Sequence, residues 1–367
     1  MKLAKNTYND LIAEIRLLVE QARHNIARNI NIELLQTYWT VGKLIVQKEH
    51  SEKYDEVSLR TLFIDLSKEL TLELGKGFSR SNLFAMRNFY LRFQLLDAVL
   101  TVSGQAKKKA SKRVLTVSGQ KKKAVKSSGL TVLHQLSWSH YYELLKCNTE
   151  QETGFYQQTA IHENWSVREL RRQMDTALFE RIALSKDGKG VMKLASKGHI
   201  IEKETDIARD PYVLEFLQIP EDYQYNEKHL EQRIIDNLQS FILELGKGFA
   251  FIGRQYRITL DNTHLYVDLV FYHRILKCFV LIDLKVKSVK HHDIGQMNLY
   301  LNYFDTEQNV KGDNPPIGII LSKHKDDVTV EYATRGISNK IFVSKYQLYL
   351  PDKKVLQKKM RELLANK

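Results

Sequence analysis

LYVDLVFYHRILKCFVLIDLKV, Leu265 to Val286, consists of two runs of apolar, β-branched and aromatic residues joined by a short turn near His273 to Lys277. Runs of this length and composition, bounded by turn signals, predict strands, and an antiparallel hairpin would lay them side by side. Each run carries an acid where a core strand wants none: Asp268 in the first, and Asp283 in the second, with Lys285 two residues further on. Residues two apart on a strand project from one face, here roughly 6.6 Å from each other. Two carboxylates at hydrogen-bonding distance repel, and a divalent ion is the usual remedy. Hard oxygen ligands from one or two carboxylates, completed by water and a substrate phosphate, describe a Mg²⁺ site. A neighbouring Lys can then orient or deprotonate an attacking water, so the pattern points to metal-assisted hydrolysis of a phosphodiester.

The flanking sequence supplies the frame. AFIGRQYRITL reads as a strand before the hairpin, while DIGQMNLYLNYF and PIGIILSKH read as a helix and a strand after it. Upstream, HLEQRIIDNLQSFILEL is an amphipathic helix with Leu230, Ile234, Ile235, Leu238, Phe241, Ile242 and Leu245 on its buried stripe. Glu231 lies along the edge of that stripe, where a carboxylate is costly unless it is paired, hydrogen-bonded or metal-bound. Helix, three strands, helix, strand makes a mixed α/β domain over residues 211–350 with its sheet at the centre, followed by a basic C-terminal helix over 351–367. Gln296 and Tyr300, four apart on the helix after the hairpin, share a face that could meet phosphate or sugar. Arg254 follows Gly253 at a strand start and is a candidate for a substrate phosphate.

Residues 1–185 have helical periodicity, from Tyr8, Leu11, Ile12 and Ile15 to a capping box between Ser166 and Glu169. FIDLSKELTLELGKGFSRSNLFAMRNFYLRF predicts helix, glycine turn and second helix, with Ser79 as N-cap. This is the outline of a helix-turn-helix or winged-helix-like DNA-binding domain, with Arg80, Asn82 and Arg87 as the candidate contacts. Plain α packing has the same outline, and the apolar Leu83, Phe84, Met86, Phe89 and Tyr90 on the second helix favour it. LELGKGF occurs twice, at Leu72–Phe78 and Leu243–Phe249, with unrelated flanks. We read it as a helix stop used twice: Leu and Glu extend the helix, and Gly supplies the left-handed residue that ends it. A polar connector over 186–210, containing SKDGKGVMKLASKGH, separates the two domains.

The formal net charge of +13 suggests a polyanionic partner. Nine of those charges lie between Ala98 and Leu130 without a single acid, in a segment that repeats LTVSGQ with a period of fifteen. Low complexity marks it as an insert of about 98–130 in the helical domain, either a tolerated expansion or a nonspecific DNA tether. Cys147 and Cys278 lack metal-ligand spacing, and the start of the chain resembles neither a signal peptide nor a membrane span. A cytoplasmic protein without a membrane partner is expected.

Asp268 followed fifteen residues later by Asp283-Leu-Lys285 resembles the PD-(D/E)XK nuclease motif, with Glu231 matching its helical acid and Gln296 and Tyr300 its QxxxY element. Val267 stands where the motif has Pro, which leaves the acid intact. YWTVGKLI, GKGFSRSNLFAMRNFY, LSWSHY and WSVRELRRQ, together with the C-terminal blocks from LELGKGFAFIGRQYRI to EYATRG, resemble the YhcG family of PDDEXK nuclease-domain proteins. The resemblance implies an α+β multidomain chain: a helical domain, then a restriction-endonuclease-like α/β domain with a central mixed sheet. It further implies a nuclease in which Glu231, Asp268 and Asp283 hold Mg²⁺ or Mn²⁺ and Lys285 positions water. DNA is the expected substrate, in restriction, recombination or repair, with a homo-oligomer or a restriction or recombination complex as assembly. The rival reading is a non-catalytic DNA-binding or scaffold protein that keeps the fold, and intact Asp283 and Lys285 weigh against it.

Overall fold

The computed structural model describes residues 2–52, 55–93, 135–184, 188–220, 224–260, 263–325 and 327–365. The basic repeat of 98–130 lies outside the described residues. The chain divides into two compact units: Met1–Thr153 with Asn164–Leu170, and Gly154–Glu163 with Arg171–Lys367. The boundary expected at 185 thus falls inside the second unit.

The first unit holds α1 (Lys2–Glu52), α2 (Glu56–Leu74), α3 (Arg80–Arg92) and α4 (Trp138–Leu144). Ile45, Phe63, Leu83 and Met86 form its core, with Tyr38, Leu66, Phe78 and Trp138 packed around them. The α2–turn–α3 pairing is as the sequence predicts: Gly75 ends α2 at φ 82°, and the Ser79 hydroxyl accepts the Asn82 N–H at the start of α3. No strand occurs among the described residues of this unit, so the winged element has no counterpart there.

The second unit is built on a six-stranded sheet ordered β1-β6-β5-β4-β3-β2. Its strands are β1 (Tyr212–Val213), β2 (Phe249–Leu260), β3 (Thr263–His273), β4 (Cys278–Lys285), β5 (Ile317–Ser322) and β6 (Lys340–Gln347). β2, β3 and β4 are antiparallel neighbours, whereas β4–β5, β5–β6 and β1–β6 pair in parallel, so the sheet is mixed. The even residues Cys278, Val280, Ile282 and Leu284 of β4 face one core, which also takes Leu230, Ile234, Phe241 and Leu245. Leu281 faces the other, against Ile294, Met297, Tyr300 and Leu301 of the helix His291–Tyr303. Burial on both faces is why β4 reads as a continuous apolar run rather than an alternating one.

Three local readings change. The helix before the sheet is two pieces, Glu227–Asp236 and Leu238–Leu245, broken at Asn237, whose backbone leaves the helical region. The connector of 186–210 contains a helix, Gly188–Lys197, because Val191 and Leu194, three apart, both find burial. Strands β1 and β6 are not legible in the sequence because β1 has only two residues, and β6, between β1 and β5, has no regular alternation of buried and exposed positions. The C-terminal helix is Lys353–Ala365.

Candidate active site

The β3–β4 ladder runs from His273↔Cys278 to Leu269↔Ile282 and stops there. Asp268 would be the next rung. Instead its Oδ2 accepts the Leu284 N–H at 2.8 Å, so the carboxylate takes over a ladder bond where the strands part. The Asp268 and Asp283 carboxyls come within hydrogen-bond reach of one another. Asp283 is 5% exposed, on the face of β4 that looks toward the helix His291–Tyr303.

Lys285 shares that face, and its Nζ lies 2.6 Å from Asp283 Oδ2 and 3.9 Å from Asp293 Oδ1. Burial pushes the Asp283 carboxyl up to about 7, the Asp268 charge adds to the shift, and Lys285 opposes it. Asp268 is also raised, chiefly by burial, against the Leu284 N–H and Lys285. For Lys285, burial pulls the ammonium down, but Asp283 and its acidic neighbours outweigh that and leave it raised. The lysine is therefore held as a cation, suited to orienting and charge stabilisation rather than to acting as a base.

Glu231 is 6% exposed, at the edge of the stripe where the sequence puts it. Its Oε2 accepts the Gln255 amide at 2.7 Å, and the same nitrogen reaches Asp268 Oδ1 at 3.0 Å. Gln255 owes this reach to backbone geometry. The β2–β3 register slips between Phe251 and Gly253, and Gln255 sits at φ 45°, so a bulged strand turns the amide toward the acids. Burial raises Glu231, and the Gln255 hydrogen bond opposes the shift. Among the described residues no group of three His, Cys, Asp or Glu has metal-ligand spacing. The expected trio is thus two adjoining carboxylates, with Glu231 linked to them through an amide.

The remaining candidates have definite partners. Arg254 donates to Gln232 Oε1 at 2.8 Å from an exposed position. Tyr300 is fully buried; its hydroxyl donates to the Tyr266 carbonyl at 3.0 Å and accepts from Gln296. Tyr300 is thus a strut that holds Gln296. In the other unit, Asn82 donates to the Gly77 carbonyl and accepts from Trp138 Nε1 at 2.9 Å. Arg87 meets Glu49 at 2.6 Å, and Arg80 is exposed. Two of the three proposed DNA contacts are thereby spent on packing within the unit.

Sequence reasoning missed two groups. Gln255 was visible beside Arg254 but had no role, since nothing in a regular strand reading aims it at Asp268. Asp293, 5% exposed, accepts the Lys290 N–H at 2.7 Å as a first-turn cap and faces Lys285 and His292. An acid in a first helical turn is ordinary, and only the seating of that helix on β4 gives this one its neighbours.

Residues 205–361 match the family model described as the YhcG PDDEXK nuclease domain, and residues 14–181 match the DUF1016 N-terminal domain. The chain is also 35% identical over 341 residues to the Escherichia coli (strain K12) protein described as "Putative nuclease YhcG", spanning 92% of this chain and 90% of that one. The chain belongs to the YhcG family. The Asp268, Asp283 and Lys285 cluster lies inside the YhcG nuclease-domain match, whereas Arg80, Asn82 and Arg87 lie inside the N-terminal one. Two solved structures also align with 36% of the chain: a repair endonuclease from Pyrococcus abyssi, and EndoMS in apo form. Their identities are 18% and 16%, their TM-scores 0.25 and 0.24, and the aligned parts span 50% and 49% of those chains. No described helix is long and apolar enough to cross a membrane.

Proposed function

We propose that this chain is a metal-dependent nuclease that hydrolyses phosphodiester bonds, with DNA as its substrate. The observation that carries the reading is Asp283, buried against a second carboxylate and a lysine. A purely structural pair would need one acid and one base, and the surplus acid costs stability unless a cation joins it. The donor set fits Mg²⁺ or Mn²⁺: hard oxygens from Asp268 and Asp283, with the remaining positions left to water and a phosphate oxygen. When bound, such an ion supplies charge neutralisation for the phosphate and a more acidic water.

The chain's own residues do the rest. Asp268 is fixed by the Leu284 N–H, so its second oxygen keeps one direction. Gln255 holds Glu231 and Asp268 at a set separation, and Glu231 would act through water rather than by direct ligation. The Lys285 ammonium, held by Asp283, presents positive charge to the attacking water and to the charge that grows on the phosphate. Gln296, oriented by Tyr300, and Arg254, just past the bulge, would meet the nucleic-acid backbone.

The test is incubation of purified protein with closed circular and linear DNA, with and without Mg²⁺ or Mn²⁺, beside Asp283→Ala. Metal-dependent cutting that disappears in Asp283→Ala is expected. Intact DNA under every condition, with binding preserved, would favour the scaffold reading.

A further inference from the structure

The first unit carries a groove of about 600 Å³ lined by Arg60, Phe63, Arg80, Phe84, Arg87 and Tyr142. It lies between α2 and α3, with Tyr142 contributed by α4. Phe84 is the feature that calls for explanation. It is 50% exposed, stands edge-on to the buried Phe63 at 5.8 Å, and has the Arg87 guanidinium 5.9 Å from its ring centre. Tyr142 is 36% exposed on the same groove. Arg87 is held in place by Glu49, so the cation beside the ring is fixed rather than free to sweep.

Aromatic faces left open between arginines are a platform on which an unpaired base stacks while cations hold the flanking phosphates. A duplex is read differently, by a helix that projects base-reading side chains into the major groove. Here α3 does the opposite: Asn82 and Arg87 are turned to partners in their own unit, and the open face is concave. We infer that this groove binds an unpaired nucleotide of a single nucleic-acid strand, with the base on Phe84 and a flanking phosphate at Arg80. The inference rests on the nuclease reading only in taking nucleic acid as the ligand, and it names the form: single-stranded regions, recognised away from the carboxylate site.

Binding is measured in EDTA, where no cutting is required, so its outcome is separate from that of the cleavage test. Fluorescein-labelled oligo(dT) and oligo(U) of about 20 nucleotides, and a duplex of the same length, are titrated with the full chain at high salt, which suppresses purely ionic attachment. Phe84→Ala should weaken single-strand binding about tenfold or more, the scale of one lost base stack. Arg80→Ala should weaken it too, Phe84→Trp should preserve it, and duplex affinity should stay within about twofold. A bound base should also quench the added indole of Phe84→Trp beyond any change in the wild type, whose three tryptophans supply the background. Tight binding of either strand chemistry with this Phe84 dependence supports the groove. Unchanged single-strand affinity in Phe84→Ala, equal loss on single strand and duplex, or an unquenched Phe84→Trp would each overturn it.

Discussion

Lys285 sits 2.6 Å from Asp283 and is held as a cation, so in the proposed hydrolysis its charge would bear on the transition state more than on substrate affinity. Lys285→Ala should keep DNA affinity within a few-fold yet slow cleavage by roughly 10² or more, the usual scale for a positioned acid, base or electrostatic group. Lys287 lies just past the end of β4 and is exposed, so Lys287→Ala is the control and should cut at the wild-type rate. The acids make a second, independent demand. Asp283 keeps its proton to about 7 in the folded chain, against an ordinary value of 3.8. The folded state therefore holds that proton more tightly than the unfolded one. Its stabilising contribution is full below pH 3.8 and is lost as pH rises through about 7. In EDTA, melting temperature should fall over that window, and Asp283→Asn should flatten the fall. Mg²⁺ should restore the loss, adding about 2.7 kcal/mol at a hundredfold excess over its dissociation constant. A melting curve indifferent to both pH and metal would remove the basis for the site. Gln255→Ala, which cuts the tie between Glu231 and Asp268, should weaken metal affinity by about 10- to 100-fold in the same assay.

The helix His291–Tyr303 packs on β4 and β5 closely at position 318, which has no side chain. A Cβ there would stand 2.6 Å from Met297 Cγ and 3.2 Å from a Leu301 methyl. That seating brings Asp293 to Lys285 and aligns Gln296, so it belongs to the geometry of the site as well as to the core. Gly318→Ala should cost about 1–3 kcal/mol by overpacking. Combined with Met297→Ala, the loss should be less than the sum of the two single changes, since the second opens the space that the first fills. Urea titration of the four proteins gives the comparison directly. Strict additivity would mean that the helix does not approach the sheet at this point.

Across the whole chain, the densest run of cations is separate from the groups proposed for hydrolysis. Nine cations lie between Ala98 and Leu130, while every group proposed for the hydrolytic step lies beyond residue 230. Deleting 100–129 should lower the salt dependence of DNA binding and leave the metal-induced rise in melting temperature unchanged. A deletion that unfolds the protein would show the segment to be part of the core of its unit. The same scale explains what was readable. Asp268, Asp283 and Lys285 were legible because charge inside apolar strands violates a rule of burial, and that violation is visible one residue at a time. Gln255 was not, because its role comes from a one-residue bulge between distant strands, and Asp293 was not, because it depends on helix seating. The arginines of α3 looked available in sequence, yet Arg87 is claimed by Glu49, thirty-eight residues away.

The heptapeptide LELGKGF shows where the division falls. Both copies end a helix on glycine with positive φ, 82° at Gly75 and 109° at Gly246, because helix termination depends on neighbours within one turn. The shared glutamate has two fates. Glu73 is exposed, but Glu244 is fully buried, 2.8 Å from Arg181 and 3.5 and 3.7 Å from Arg172 and Arg209, and it accepts the Val213 N–H of β1. Burial alone would raise the Glu244 carboxyl, and the three guanidiniums reverse the sign and hold it low. Glu244→Gln should accordingly cost about 3–5 kcal/mol by leaving buried cations unpaired. Glu73→Gln should stay within about 0.5 kcal/mol. The helix stop follows from the seven residues themselves. What their side chains meet was decided by segments brought in from far along the chain, since burial and charge pairing are properties of the packed assembly and not of local sequence.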